Sequence, residues 1–235
     1  GNFLEDTIIE LPYSIDSAKF KTCGAKKHLL PLTPTFFKFF KAENVSDYIK
    51  IDELAGGGLE VKLEIPVKKG KVTFKKTYHQ TSIVKIEVHL AILPFLKISN
   101  VEIDYTFGLQ DFRYDRSQDI HLESYETGSF SDIRNSVLRR VSDKDQSIYY
   151  KSKKFDTIRF KSNDLSGFIV PNMPESIANQ QVSFAIDFGT TNTHIEYKHG
   201  TNAEKALDVT ADLPIWQSLI DRNREVNKDP LQIRN

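Results

Sequence analysis

Asp187, Gly189, Thr190, Thr191, Asn192 and Thr193 fall within the stretch VSFAIDFGTTNTHIEY (182–197), near the end of a 235-residue chain. Glycine removes the side chain where a backbone must turn sharply or meet a ligand. Successive backbone N–H groups in a tight turn form a concavity that suits phosphate oxygens. The threonine hydroxyls and the Asn192 amide add donors around it. A carboxylate repels bare phosphate, but it becomes useful once Mg²⁺ intervenes. Magnesium keeps several waters and is held through one or two carboxylates plus the phosphates themselves. These residues therefore suggest phosphate binding at Gly189–Thr193, with Asp187 as the metal partner and the catalytic candidate. Gly-Thr-Thr-Asn is also sound hairpin-turn material, so a purely structural turn stands beside this reading.

The residues need a strand before and after them. Val182, Phe184, Ile186 and Phe188 share one face, while Ser183, Ala185 and Asp187 share the other. Small residues leading to one acid leave room for close approach on that second face. A second strand follows the turn, and EKALDVT (204–210) suits a third strand of the same sheet.

AIDFGTTNTHIEY resembles the first phosphate-binding motif of the actin, Hsp70 and sugar-kinase ATPase superfamily. That motif runs apolar strand, Asp, apolar residue, Gly, Thr, Thr or Ser, Asn or similar, then a second strand. The resemblance implies that Asp187 helps hold the hydration shell of Mg²⁺. It also implies that Gly189, Thr190 and Thr191 wrap the β- and γ-phosphates of ATP, with Asn192 and Thr193 alongside. An RNase H-like ATPase domain is then expected to begin near residue 181, with ATP hydrolysis or phosphoryl transfer as its activity. The family's second phosphate loop and adenosine segment lie far downstream of this motif, whereas only residues 198–235 follow it here. The chain, which starts at Gly1 and not at a methionine, is expected to be a fragment of a larger bacterial-type protein. Nucleotide would bind through the missing lobes, and the fragment itself is expected to be inactive. A glycine run in IDELAGGGLE (51–60) lies upstream, in the wrong order for the second loop, and is expected to form a turn before the Leu59 strand.

The expected fold class is α+β, mostly β: an antiparallel, sandwich-like module over 1–180, then the first strands of the ATPase domain over 181–235. LEVKLEI (59–65) alternates through Leu59, Val61, Leu63 and Ile65; VKIEVHLAI (84–92) and VEIDYTF (101–107) repeat the pattern. Such alternation marks half-buried antiparallel strands. VKKGK (67–71) supplies a turn into VTFKKTY (72–78), and weaker strands are expected at 119–125, 148–151, 155–161 and 167–170. Three short helices are expected. One follows Thr33-Pro34 and gathers Phe36, Phe37, Phe39 and Phe40. One starts at Ser131, with Ile133, Val137, Leu138 and Val141 inward. One starts at Asp212, with Ile215, Trp216, Leu219 and Ile220 inward. PNMPESIANQQ (171–181) is the linker candidate.

Composition excludes several classes. The 32 basic and 32 acidic residues balance to zero formal charge, which argues against nucleic acid as a partner. No stretch approaches 18 apolar residues, so no membrane span is expected. The single cysteine, Cys23, excludes an internal disulfide and a multi-cysteine zinc site, and it fits a cytoplasmic compartment. The triplet Asp187-Phe188-Gly189 lacks the upstream loops a protein kinase requires. The six histidines show no metal-ligand spacing; His89 and His121 fall on polar strand faces and are expected at solvated or rim positions. FFKFFK suits a packing plug, or an apolar patch for a protein partner if exposed. The alternative to the ATPase reading is a non-catalytic β-rich module that binds a protein or ligand, with a terminal hairpin that only completes a sheet.

Overall fold

The computed structural model describes residues 3–111, 120–126, 129–132, 137–140, 146–178, 181–188, 193–207 and 217–220. The first third contains β1 (Ile8–Glu10), α1 (Pro34–Phe37), α2 (Val45–Tyr48), β2 (Ile49–Glu53), β3 (Leu59–Val67) and β4 (Gly70–Tyr78). There follow β5 (Ile83–Lys85), β6 (Val88–Leu93), β7 (Lys97–Ile98), β8 (Tyr105–Asp111), β9 (Ile120–Glu126) and β10 (Ser129–Asp132). Next come β11 (Val137–Arg140), β12 (Gln146–Ser152), β13 (Thr157–Ser162), β14 (Leu165–Ile169) and β15 (Glu175–Ser176). The chain closes with β16 (Val182–Phe188), β17 (Thr193–His199), β18 (Lys205–Ala206) and β19 (Gln217–Ser218). The protein is thus mostly β, with antiparallel pairing dominant, as the alternating sequence requires.

Three layers carry the core. A five-stranded antiparallel sheet, β11-β12-β8-β6-β19, faces a four-stranded antiparallel sheet, β10-β9-β13-β14. Val88, Leu90, Ile92, Phe107 and Leu109 from the first meet Leu122, Ile158, Phe160 and Ile169 from the second. The opposite face of the four-stranded sheet presents Tyr125 and Phe168 to a second core. That core is closed by α1, α2 and the three-stranded sheet β2-β3-β4 through Phe36, Phe37, Val45, Ile51, Val61 and Leu63. Period-two geometry makes this sharing possible, because adjacent residues of a strand point to opposite faces. Ile8 and Ile9 accordingly enter different cores, as do Phe168 and Ile169. Each fully buried side chain of this size contributes about 1.5–3 kcal/mol.

Several expectations hold and several are corrected. Leu59, Val61 and Leu63 are buried on one face of β3, and the weaker strands emerge as β9, β12, β13 and β14. The 84–92 run is split, because β5 pairs in parallel with β1 while β6 joins β8. The 101–107 strand starts only at Tyr105; Val101 is 49% exposed. The first helix is a single turn, Pro34–Phe37, with Phe36 and Phe37 buried and Phe39 70% exposed. The Tyr125 hydroxyl pins that turn by donating to the Phe37 carbonyl. No helix occupies the described parts of 131–141: Ser129–Asp132 and Val137–Arg140 are strands, pairing with β9 and β12. Nor is 217–220 helical. Gln217 and Ser218 pair with Ile92 and Ala91 of β6, and Leu219 and Ile220 enter the first core. Residues 212–216 lie outside the described set. Short apolar runs do not distinguish helix from strand, and here the open edges of β6 and β12 decided.

The linker candidate is held down over most of its length. Pro171 bridges Phe20, Asn172 N–H donates to the Lys19 carbonyl, and β15 pairs in parallel with β7. Asn100 then brackets Ala178, its Nδ2 donating to the Ala178 carbonyl at 2.7 Å and its Oδ1 accepting from the Ala178 N–H at 2.8 Å. Among the described residues no helix is long and apolar enough to cross a membrane.

His89 is buried, not solvated, because Tyr13 from the N-terminal segment stacks on it at 4.6 Å. The Tyr13 hydroxyl donates to the Val88 carbonyl at 2.9 Å and fixes that cover. Burial pushes the His89 pKa down from 6.5 to about 4, with Glu87 opposing it in part. Above about pH 6.5 the ring is neutral in both folded and unfolded chains and costs nothing. As pH falls from 6.5 toward about 4 the unfolded chain takes up the proton first, so stability is lost across that window. The expected loss is on the order of 3 kcal/mol. Urea unfolding across this range, compared between the parent and His89→Phe, should show the slope flattened in the variant. Equal slopes would mean that the ring titrates freely.

Candidate functional site

The hairpin forms as its sequence demands. β16 and β17 pair in antiparallel register from Val182↔His199 through Asp187↔His194 to Phe188↔Thr193. The register leaves four residues, Gly189, Thr190, Thr191 and Asn192, to make the connection, and these lie outside the described residues. Thr193 begins β17 opposite Phe188. The expected third strand is present in short form: β18 pairs with Glu196 and Tyr197, and Leu207 N–H donates to the Ile195 carbonyl at 2.8 Å.

The two faces of this small sheet differ sharply. Phe184 lies opposite Tyr197, Ile186 opposite Ile195, and the Phe184 and Tyr197 rings sit 6.5 Å apart. This apolar face is uncovered, with Phe184 59% and Ile186 50% exposed. None of the described residues of 182–207 belongs to either core. The other face carries Ser183, Ala185 and Asp187 beside His194, Glu196 and Lys198. His194 Nε2 lies 3.1 Å from Glu196 Oε1, and Lys198 Nζ lies 3.8 Å from Glu204 Oε1.

Asp187 is exposed at the end of its strand, directly opposite His194 and one residue short of the pair that closes the hairpin. Only the small side chains of Ser183 and Ala185 precede it on that face, so its carboxylate is open to an approaching hydrated ion. Among the described residues no three His, Cys, Asp or Glu side chains converge to hold a metal ion. Compared with known proteins, the chain matches no family model, no curated protein and no solved structure.

Proposed function

We propose that the 182–207 sheet is the phosphate-binding start of an ATPase domain of the actin and Hsp70 type. In this reading Asp187 holds hydrated Mg²⁺, and Gly189, Thr190, Thr191, Asn192 and Thr193 surround the ATP phosphates. The carrying observation is the register. It sets Asp187 on the open, small-residue face of β16 and leaves four residues, Gly-Thr-Thr-Asn, for the connection. The apolar face of Phe184, Ile186, Ile195 and Tyr197, on which Phe184 and Ile186 are exposed, supports the same reading, since strands of such a lobe need cover on that side. When bound, Mg·ATP would supply a phosphoryl group for hydrolysis or transfer; the chain's own contribution is to orient the phosphates and the metal waters. An adenosine pocket is not part of this sheet, so the hairpin alone is expected to bind nucleotide weakly.

Isothermal titration of the longest natural form of the protein with Mg·ATP tests the proposal. Binding should weaken at least tenfold in Asp187→Asn and lose its dependence on Mg²⁺ concentration. Absence of binding in the parent, or an unchanged affinity in the variant, would end the ATPase reading.

A second reading is favoured by one observation. After the hairpin the chain returns to the first core, where β19 extends the five-stranded sheet and Leu219 and Ile220 are buried. In this reading the hairpin is a structural appendage of a non-catalytic β-rich interaction module, and the same titration separates the two.

A further inference from the structure

The glycine run at 56–58 forms the turn its sequence calls for, and it also walls a cavity. The cavity measures about 380 Å³ and opens between β1, the end of β2, β5 and the segment before Leu29. Its glycine wall is fixed. Leu54 N–H donates to the Gly58 carbonyl at 2.8 Å, Gly57 N–H to the Leu54 carbonyl at 3.0 Å, and Gln80 Nε2 to the Gly57 carbonyl at 3.2 Å. Gly57 has φ +86°, and a methyl group there would meet Gln80 Nε2 at 2.2 Å. Glycine is thus the residue that lets loop and amide close together.

His28 lines another side of the cavity. It is only 8% exposed, and its Nδ1 is enclosed without a hydrogen-bond partner. That nitrogen is sealed from solvent, so the ring meets the cavity through its other atoms. Burial holds the ring below its usual pKa of 6.5, with Glu10 and Glu53 opposing in part. Lys85 and Glu10 approach each other at 3.9 Å across the cavity wall. Lys27 and Glu53, one of each sign, line it without an ion pair among the described residues. His28, Glu10 and Glu53 do not converge as metal ligands. Leu54 and Ile83 add apolar lining.

We propose that this cavity binds a small zwitterion: an ammonium and a carboxylate on one aliphatic body, as in a free amino acid. The unpaired Glu53 and Lys27 take the two ends, the leucine and isoleucine lining takes the body, and the volume is at the small end of ligand pockets. His28 supplies a wall of the cavity against which the body of the molecule packs. The site shares no residue with the 187–193 hairpin and stands independently of the nucleotide reading.

The test is an amide and imidazole NMR titration of the whole chain with L-leucine, 4-aminobutanoate and 6-aminohexanoate, which differ in charge separation. N-acetyl-L-leucine and L-leucinamide each remove one charge. At least one zwitterion should shift the His28, Gly57 and Gln80 signals saturably, and blocking the charged end should weaken binding at least tenfold. Glu53→Gln and Lys27→Met, both surface substitutions expected to leave the thermal midpoint unchanged, should each weaken it about tenfold. The proposal is overturned if no zwitterion shifts these signals by about 10 mM, if the blocked analogues bind equally well, or if the double variant binds as the parent does.

Discussion

Replacing Glu123 with alanine is expected to destabilise the protein by about 3–5 kcal/mol, because it strands a nearly buried guanidinium. Glu123 and Arg159 lie opposite each other on β9 and β13, on the face turned toward the second core. Their side chains are only 12% and 16% exposed, and Arg159 Nη1 lies 3.0 Å from Glu123 Oε2. Arg159 Nε donates to Ser166 Oγ at 2.7 Å, and the guanidinium lies 5.8 Å from the centre of the Phe168 ring. Glu5 reaches Arg159 Nη2 at 3.7 Å, so the cluster also ties the N-terminal segment to the middle sheet. Lys161 approaches the other Glu123 oxygen at 3.5 Å, but its side chain is 46% exposed and solvent screens it. Glu5 alone is too distant to replace Glu123. Urea unfolding at neutral pH measures the loss. The double variant Glu123→Leu, Arg159→Met should recover most of it, since removing both charges leaves no buried ion unpaired and only the Ser166 hydroxyl loses a partner. A loss below about 1 kcal/mol for Glu123→Ala would show that water screens the pair as it does at an open surface.

Leu219→Ala is the second large effect, at about 2–5 kcal/mol. Leu219 is fully buried, beside Leu90 and Ile92 in the first core. Its backbone is a staple as well. Leu219 N–H donates to the Leu90 carbonyl at 3.0 Å, and the Leu219 carbonyl accepts from Asp16 N–H at 2.8 Å. The bridge between Ile15 and Ile220 continues the same seam. A cavity at Leu219 should therefore loosen β6 and the Ile15–Asp16 segment together. Hydrogen exchange is the direct measurement: the Asp16 and Leu219 amides should lose protection before those of β13. If the variant unfolds at the parent's urea midpoint, the segment is peripheral, and the hairpin is not tied back to the module through β19.

The hairpin was legible because everything it needs is local. Alternation defines its faces, and Lys205–Ala206 falls inside the stretch expected to form the third strand. The four-residue closure and the exposure of Asp187 follow from the register. β3 and β4 were legible for the same reason: an alternating strand, a Lys-Lys turn and a second strand are contiguous. The described residues of the helices expected at 131–141 and 212–220 are not helical, for the opposite reason. Val137–Arg140 and Gln217–Ser218 pair with residues of β12 and β6, and a few apolar residues carry no period long enough to reveal such a partner.

Long-range pairing also explains what sequence reading missed at the glycine cavity. Glu10, His28, Glu53 and Gln80 come from four separate segments, and nothing in the spacing of a lone histidine marks an orphan ring nitrogen. His89 shows the same limit, since its polar strand face became interior only because Tyr13, 76 positions earlier, covers it.

The sequence by itself determined the β character, the faces of the alternating strands and the pairing of the two strands on either side of 189–192, because these depend on neighbours within a few residues. Tertiary structure alone decided that the four-stranded sheet serves two cores, that Arg159 and Glu123 meet away from water, and that Leu219 returns to β6. Those outcomes depend on which distant edge or face each segment covers. Hydrogen-bonding edges and apolar surface are satisfied across the whole chain at once.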